Sequence, residues 1–287
     1  MRSYDFHPAA APQSAVVFAS PHSGRHYPRA FLRASVLDEV VLRSSEDAYV
    51  DQFLSRASAA GAPVLLGAVP RAYVDYNRAA SELDPALIMG VSTTGQNPRI
   101  ASGLGVIPRV VAGGRAIYRG KLTRAEAEAR LQQFWHPYHA KLAALMTEHQ
   151  HRFGRAILFD MHSMPRDAVV MSGQHSSLRP DIVLGDRFGS ACAPDISEAV
   201  AHAFAKQGLR VARNSPFAGA YITQAYGRPS HGRHAIQIEI DRSLYMDERR
   251  VAPNKGFEQF KAIMDRVVLD LVDIGRELGI DRPLAAE

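Results

Sequence analysis

The chain contains one cysteine, Cys192, so it cannot form an internal disulfide. A lone cysteine fits a reducing compartment. The sequence also lacks any run near the roughly 18 apolar residues that cross a membrane, and residues 1–8 lack the apolar core of a secretion signal. We therefore expect a cytoplasmic protein with no membrane partner.

Concentrated positive charge is absent as well. The 34 Lys and Arg residues exceed the 29 Asp and Glu residues, for a net charge of +5, but they are spread along the chain. Nucleic-acid-binding proteins usually carry a concentrated basic stripe. We therefore expect no nucleic-acid partner, whereas the mild basic excess suits a small anionic substrate.

Several common catalytic motifs are missing. The sequence has no P-loop and no His-Glu-x-x-His, and Gly103-Leu104-Gly105 lacks the third glycine of a dinucleotide fingerprint. It also has no Gly-x-Ser-x-Gly elbow, so a serine hydrolase has little support.

Alternating patterns of strands and helices run through the 287 residues, with no internal repeat. We treat residues 1–287 as a single domain with one large core. Short β-branched runs predict buried strands, and apolar residues three and four apart predict helices. The pattern predicts an α/β fold with a mixed, largely parallel central sheet and helices on both faces. The predicted strands are 15–18, 63–66, 156–159, 181–184 and 234–241, and the predicted helices are about 47–60, 123–134, 137–151, 194–206 and 255–278.

The Gly-rich residues 90–120 interrupt this alternation. They contain few periodic apolar residues, so we predict one long surface excursion. A connection of that length within a domain usually has a function.

Two predicted strands lead into a histidine. Residues 15–18 are followed by His22, and residues 156–159 are followed by His162. Ligands bind beyond the carboxyl ends of the strands in open α/β sheets. For either histidine alone, a hydrogen bond that caps a turn is the simpler interpretation, but the pair favours a shared site.

Acidic residues cluster in residues 44–51, at the start of a predicted helix. Acids in a first helical turn often only complement the helix dipole. If one of them instead faces the sheet, it would complete a set of two imidazoles and one carboxylate, which is common in catalytic zinc sites. Spacing alone does not distinguish Glu46 from Asp47.

The predicted strand 234–241 alternates isoleucines with polar residues. Gln237 and Glu239 therefore share one face. The plain interpretation is a half-exposed strand with a solvated face. The alternative places Glu239 beside a metal-bound water as its general base.

Arginines are the remaining candidates. Arg78 follows Asn77 after a strand-like run, and its guanidinium could bind a carboxylate through two parallel hydrogen bonds. Arg71, Arg119 and Arg228 also lie in segments flanked by Gly or Pro, although a single arginine is most often a solvated surface residue.

An ordered series of short motifs extends over about residues 16–248. The motifs are Ser20-Pro21-His22-Ser23-Gly24, Asp47-Ala48-Tyr49-Val50-Asp51, Tyr76-Asn77-Arg78, Ile117-Tyr118-Arg119, Trp135-His136-Pro137-Tyr138-His139, Phe159-Asp160-Met161-His162-Ser163, the segment 219–227 and Gln237-Ile238-Glu239-Ile240. In order and number they resemble the N-formylglutamate amidohydrolase family, whose fold is related to that of the zinc carboxypeptidases.

The resemblance implies hydrolysis of the formyl amide of N-formyl-L-glutamate to formate and L-glutamate, late in histidine degradation. It implies one zinc ion per chain, held by His22, Asp47 and His162. Glu46 is the substitute for Asp47, because related carboxypeptidases use Glu as the middle ligand. Glu239 matches the general base, which would act on the metal-bound water.

The resemblance also implies a substrate site. Asn77 and Arg78 resemble the pair that holds a substrate carboxylate, Arg119 is the candidate for a second carboxylate, and Thr223 lies in the matched segment 219–227. Residues 79–84 are not proline-rich as is common in the family, and residues 90–120 also differ. Two alternatives therefore stay open: hydrolysis of another N-acyl amino acid or a small peptide, and a non-catalytic binding protein on the same fold.

Overall fold

A seven-stranded sheet forms the centre of the computed structural model, which describes residues 1–92, 97–170 and 179–277. The strand order is β1-β3-β2-β6-β9-β7-β8, and two short strand pairs, β4–β5 and β10–β11, lie outside it. The strands are β1 (Tyr4–His7), β2 (Val16–Ser20), β3 (Val64–Gly67), β4 (Val110–Val111), β5 (Arg115–Ala116), β6 (Ala156–Met164), β7 (Ile182–Gly185), β8 (Val211–Arg213), β9 (Arg233–Asp241), β10 (Met246–Asp247) and β11 (Ala252–Pro253).

The sheet is mixed and mostly parallel, which confirms the predicted fold class. Strand β2 is parallel to β3 and β6, β6 is parallel to β9, and β7 is parallel to β8. The edge strand β1 is antiparallel to β3, and β7 is antiparallel to β9. Strands β7 and β8 are thus parallel to each other but run in the opposite direction to β9.

Helices cover both faces of the sheet. Helices α7 and α9 pack with Val16 and Ile238 on one face, whereas α5 packs with Val17 and Leu158 on the other. The helices are α1 (Arg29–Ala34), α2 (Glu39–Arg43), α3 (Pro98–Ala101), α4 (Arg124–Arg130), α5 (His136–Phe153), α6 (Arg166–Val170), α7 (Pro194–Ala205), α8 (Tyr221–Tyr226) and α9 (Phe257–Glu277). No helix of the described residues is long and apolar enough to cross a membrane.

The longer predicted helices are present. Thr123 caps α4 by accepting a hydrogen bond from the Glu126 N–H at 3.1 Å. A π-helical turn, Leu131–Trp135, joins α4 to α5, and Pro137 lies in the first turn of α5, where its missing N–H costs no hydrogen bond. The predicted end of the last helix, near Gly279, lies outside the described residues.

The predicted helix over 47–60 is wrong. A short 3₁₀ helix, Val50–Leu54, is followed there by turns. Tyr49 has a φ of 70°, in the left-handed region, so no right-handed α-helix can pass through it. The backbone N–H of Asp47 instead donates to the carbonyl of His22 at 3.0 Å. The Asp47 N–H is therefore bonded to the loop after β2, and the predicted first helical turn does not form.

Residues 90–120 are more tightly packed than a surface excursion. Outside residues 93–96, which the structure does not describe, this segment forms α3 and the β4–β5 pair. Val106, Ile107 and Ile117 are fully buried. The segment belongs to the core on the α5 face of the sheet and contributes residues to the cavity described below.

One face of the sheet changes from apolar to polar along the strands. On β6, Leu158 is followed on the same face by Asp160 and His162, and on β9, Ala235 is followed by Gln237 and Glu239. Leu158 and Ala235 pack in the core, whereas the polar residues lie nearer the carboxyl ends of both strands. The adjacent strands β2, β6 and β9 thus bring chemically active side chains together.

Candidate metal centre and active site

Three buried side chains meet at the carboxyl ends of β2 and β6. His22 follows β2, His162 lies in β6, and Asp47 lies in the turn after α2. Their candidate ligand atoms all lie within 4.8 Å of one another. Asp47 Oδ2 is 2.9 Å from His162 Nδ1 and 3.4 Å from His22 Nδ1. The structure therefore brings together the three residues predicted as metal ligands.

Two further aspartates orient the imidazole rings. His22 Nε2 lies 2.7 Å from Asp75 Oδ1, and His162 Nε2 lies 3.0 Å from Asp160 Oδ2. We assign the ring protons to these Nε2 atoms from the hydrogen bonds, which leaves both Nδ1 lone pairs facing Asp47. Carboxylates placed behind ligand histidines are common around protein metal ions.

The Nδ1 atom of His22 makes no hydrogen bond within the described part of the chain, although it is buried. A lone pair directed at a carboxylate oxygen is unfavourable unless a cation lies between them. Without a cation at this position, Asp160 and Asp47 outweigh the effect of burial and raise the pKa of His162 well above its usual value, so that positive charge is favoured here. This negative field and the two-imidazole, one-carboxylate donor set fit a divalent metal such as zinc.

Asp47 is itself held in place. Its Oδ1 accepts hydrogen bonds from Ser163 Oγ at 3.0 Å and from Arg242 Nη2 at 3.1 Å, which leaves Oδ2 for the histidines. Burial raises the pKa of Asp47, but the neighbouring His162 and His22 hold it well below the usual range. The carboxylate is therefore ionised, as a metal ligand must be.

Glu46 points to different partners. Its Oε1 accepts a hydrogen bond from Tyr27 at 2.5 Å, and the Nε of Arg43 lies 3.2 Å from both carboxylate oxygens. Burial raises the pKa of Glu46. The structure thus brings Asp47, and not its predicted substitute Glu46, to the two histidines.

Glu239 lies directly beside this centre. It pairs with His162 across β6 and β9, and its Oε1 accepts a hydrogen bond from Gln237 Nε2 at 2.6 Å. The expectation of a solvated strand face is wrong, because Gln237 and Glu239 are 5% and 7% exposed. Residues 234–241 of β9 are all buried, so neither face of this strand is open to solvent. Burial raises the pKa of Glu239 above its usual value, which favours a role in proton transfer.

A cavity of about 620 Å³ lies over these residues. His22, His162 and Glu239 contribute to its lining, together with residues 110–114 from the β4–β5 segment and residues 216–220 from the loop before α8. Four arginines also line it. They are Arg71, Arg78, Arg99 and Arg242. A concave cationic site next to an acid–base group suits a small anion.

Of the predicted substrate residues Asn77 and Thr223, only Asn77 lines the cavity. Its Oδ1 accepts from the Ile222 N–H at 2.8 Å, and its Nδ2 donates to Oδ2 of Asp160, the partner of His162, at 3.4 Å. Its amide therefore connects α8 to the candidate metal centre. Thr223 is buried and donates to the Ala220 carbonyl at 2.8 Å, outside the residues that line the cavity.

Arg78 has the environment expected of an anion-binding residue. It is 4% exposed, and it donates to the carbonyls of Leu104 at 3.0 Å and Asn77 at 3.1 Å. Burial lowers the pKa of Arg78, the charge of Asp75 opposes this shift, and the neighbouring Arg71 and Arg99 reinforce it. Arg119, in contrast, is exposed and does not line the cavity.

Sequence reasoning missed the groups that support the ligands. Asp160 lies two residues before His162 on the same strand face, so a period-2 search for carboxylates could have found it, whereas Asp75 lies outside the strands and has no such period. Arg242 gives no such signal, because its position after β9 becomes meaningful only when the strands are paired.

A sequence model of the N-formylglutamate amidohydrolase family matches residues 14–246, which include every site residue described above. The chain belongs to this family. The family resemblance inferred from the ordered motifs is therefore confirmed.

Relatives and a solved structure agree with this membership. N-formylglutamate deformylase of Pseudomonas aeruginosa is 28% identical over 267 residues, which cover 91% of this chain and 94% of that protein. N-formylglutamate deformylase of Pseudomonas putida is 28% identical over 246 residues, 85% of each chain. The crystal structure of N-formylglutamate amidohydrolase from Ralstonia eutropha JMP134 has a TM-score of 0.90 and 32% identity, and the match covers 96% of this chain and 99% of that one.

Proposed function

We propose that this protein hydrolyses the formyl amide of N-formyl-L-glutamate to formate and L-glutamate, with a divalent metal as cofactor. The observation that carries the proposal is the meeting of His22, Asp47 and His162 beside Glu239 in a cationic cavity. The names of the relatives, at 28% identity over most of the chain, supply the substrate. Such an activity would serve histidine degradation in the cytoplasm.

The donor set suits zinc, which binds imidazole nitrogen and carboxylate oxygen. When bound, the ion would polarise the formyl oxygen and lower the pKa of water. His22 and His162 would hold it through Nδ1, because their Nε2 atoms are taken by Asp75 and Asp160.

Glu239 is the proposed general base and then the general acid. Its carboxylate takes a proton from the attacking water as the new C–O bond forms at the formyl carbon. It then gives that proton to the amide nitrogen as the C–N bond breaks. The proton that remains on the new carboxyl group passes to the released amine, which gives formate and glutamate with a protonated amino group. The hydrogen bond from Gln237 fixes Oε1 of Glu239 and leaves Oε2 for this proton.

The arginines provide the complementary charge. Arg78 has no carboxylate within 4.0 Å in the described residues, so its buried guanidinium is suited to bind a substrate carboxylate. Arg71 lines the same cavity, and we assign it to the negative charge that develops on the formyl oxygen.

Metal analysis combined with a formate-release assay tests the proposal. We expect about one divalent ion per chain in protein purified without a metal-affinity tag, and loss of both metal and activity in His162→Ala. His202→Ala is the control, because that histidine is exposed on α7. Wild-type protein that neither contains metal nor binds added zinc would overturn the hydrolytic mechanism.

Comparison of substrates tests the identity of the acyl amino acid. N-formyl-L-glutamate, N-formyl-L-aspartate and N-acetyl-L-glutamate are assayed at matched concentrations, and we expect the first to give the highest kcat/KM. A higher value for either of the others would support the alternative of a deacylase with another substrate. Metal binding without turnover of any of them would support a binding protein.

A further inference from the structure

The four arginines of the cavity form two groups according to their partners. Arg71 pairs with Asp75 at 2.9 Å, and Arg242 pairs with Asp47 at 3.1 Å. Arg78 and Arg99 have no carboxylate within 4.0 Å in residues 1–92, 97–170 and 179–277. The cavity therefore presents two guanidinium groups that form no salt bridge with an acidic side chain of the described residues.

Arg78 and Arg99 are both hydrogen-bonded to the backbone of the same residue, Leu104. The Leu104 carbonyl accepts a hydrogen bond from Arg78 Nε at 3.0 Å, and the Leu104 N–H donates to the Arg99 carbonyl at 2.8 Å. Arg78 is buried and directly follows Asn77, which contacts His162. Arg99 is exposed, so the pair runs from the inner end of the cavity towards its mouth.

The backbone of Arg99 is also anchored. Asn97 Oδ1 accepts a hydrogen bond from the Arg99 N–H at 3.0 Å, and Asn97 Nδ2 donates to Glu82 Oε2 at 3.3 Å. The Glu82 carbonyl in turn accepts from the Val106 N–H at 2.8 Å. The backbone position of Arg99 is thus set before a ligand arrives, so that only its side chain has to be ordered on binding.

An N-acyl dicarboxylic amino acid carries two carboxylates, one for each of these arginines. Its α-carboxylate is attached to the carbon that carries the scissile amide nitrogen, whereas its side-chain carboxylate lies two methylene groups farther away. Such a molecule thus offers one carboxylate near the reacting amide, for the inner arginine, and a second one farther away, for the outer arginine.

We propose that Arg99 binds the side-chain carboxylate of the substrate and sets the preference for an acidic N-acyl amino acid, while Arg78 binds the α-carboxylate. This inference rests on the proposed function and replaces Arg119, which lies outside the cavity lining. Arg99 is a specificity-determining residue, so its charge affects acidic substrates only.

Steady-state kinetics with two substrates tests the inference. N-formyl-L-glutamate and N-formyl-L-glutamine have nearly the same shape and differ in the charge at the end of the side chain. In Arg99→Met we expect kcat/KM for the glutamate compound to fall about 10- to 100-fold, mostly through KM, because one charge-assisted contact is lost. The value for the glutamine compound stays within about threefold, and Arg99→Lys recovers part of the loss.

Control variants distinguish the ways in which the inference can fail. Arg56→Met removes an exposed arginine outside the cavity lining and should change neither substrate. An unchanged preference in Arg99→Met, equal losses for both substrates, or loss of preference in Arg119→Met alone would overturn the inference and leave the proposed function intact. A wild-type protein that hydrolyses neither compound overturns the proposed function, and the inference with it.

Discussion

His162 and Glu239 are directly paired residues on the adjacent parallel strands β6 and β9. Two different strands thus place a candidate metal ligand and the proposed base side by side. Both residues are buried, and each has a second polar group, Asp160 or Gln237, two positions earlier on the same strand face. Rigid strands are well suited to hold catalytic groups at a fixed separation.

The Glu239→Gln variant tests the role of this pair. Glutamine has nearly the same shape and can still accept the hydrogen bond from Gln237, but it cannot take up a proton. We expect kcat to fall at least about 100-fold, with metal content and KM close to those of the wild type. Steady-state kinetics and elemental analysis of one preparation measure all three quantities. Near-normal turnover would remove Glu239 from the proton transfer.

Much of the fold follows from local pattern. The buried strands β2, β3, β6 and β7 stand out as β-branched runs, and helices α5, α7 and α9 stand out by their apolar spacing. The edge strands β1 and β8 were not predicted, because each has at most four residues and is only partly buried. The direction of β7 relative to β9 is a matter of tertiary pairing, which has no local signal.

The candidate site shows the same division. His22 and His162 were predicted because they follow apolar strands, which is a local pattern. The choice of Asp47 over Glu46 depends on Ser163 and Arg242, which are more than 100 residues away in the chain. Arg99 likewise becomes a candidate substrate residue only through tertiary structure, namely its contact with Leu104 and its place in the cavity lining.

Asp75 provides a test of how the ligand histidines are oriented. Asp75 contacts both His22 and Arg71. Asp75→Asn should therefore leave His22 in place but weaken the hydrogen bond that the His22 Nε2–H donates to residue 75. We expect the affinity for zinc to fall about 10-fold or more, as is usual for the partners of ligand histidines. Competition with a chromophoric chelator measures the dissociation constant.

Asp84→Asn is the matched control for this prediction. Asp84 is also buried and pairs with an arginine, Arg109, at 2.8 Å, but it contacts neither candidate ligand histidine. The affinity for zinc should therefore stay at the wild-type value. Equal losses in both variants would mean that the effect of Asp75→Asn comes from general destabilisation.

Arg78→Lys tests the inner carboxylate contact. Lysine keeps the positive charge but replaces the planar fork by a single point charge. It would also lose the hydrogen bond from Nε to the Leu104 carbonyl. We expect KM for N-formyl-L-glutamate to rise about 10-fold while kcat changes little. An unchanged KM would show that the α-carboxylate binds elsewhere.

Metal binding should stabilise the folded chain. The three candidate ligands come from separate segments, so the unfolded chain does not present them together. At a zinc concentration about 100 times the dissociation constant, linkage adds about 2.7 kcal/mol to the free energy of unfolding. For a chain of this length we expect a rise in Tm of about 5 °C, measured by calorimetry after chelation and again after zinc is restored. Glu239→Gln should show the same rise and His162→Ala should show none; a rise of equal size in His162→Ala would place the zinc at a different site.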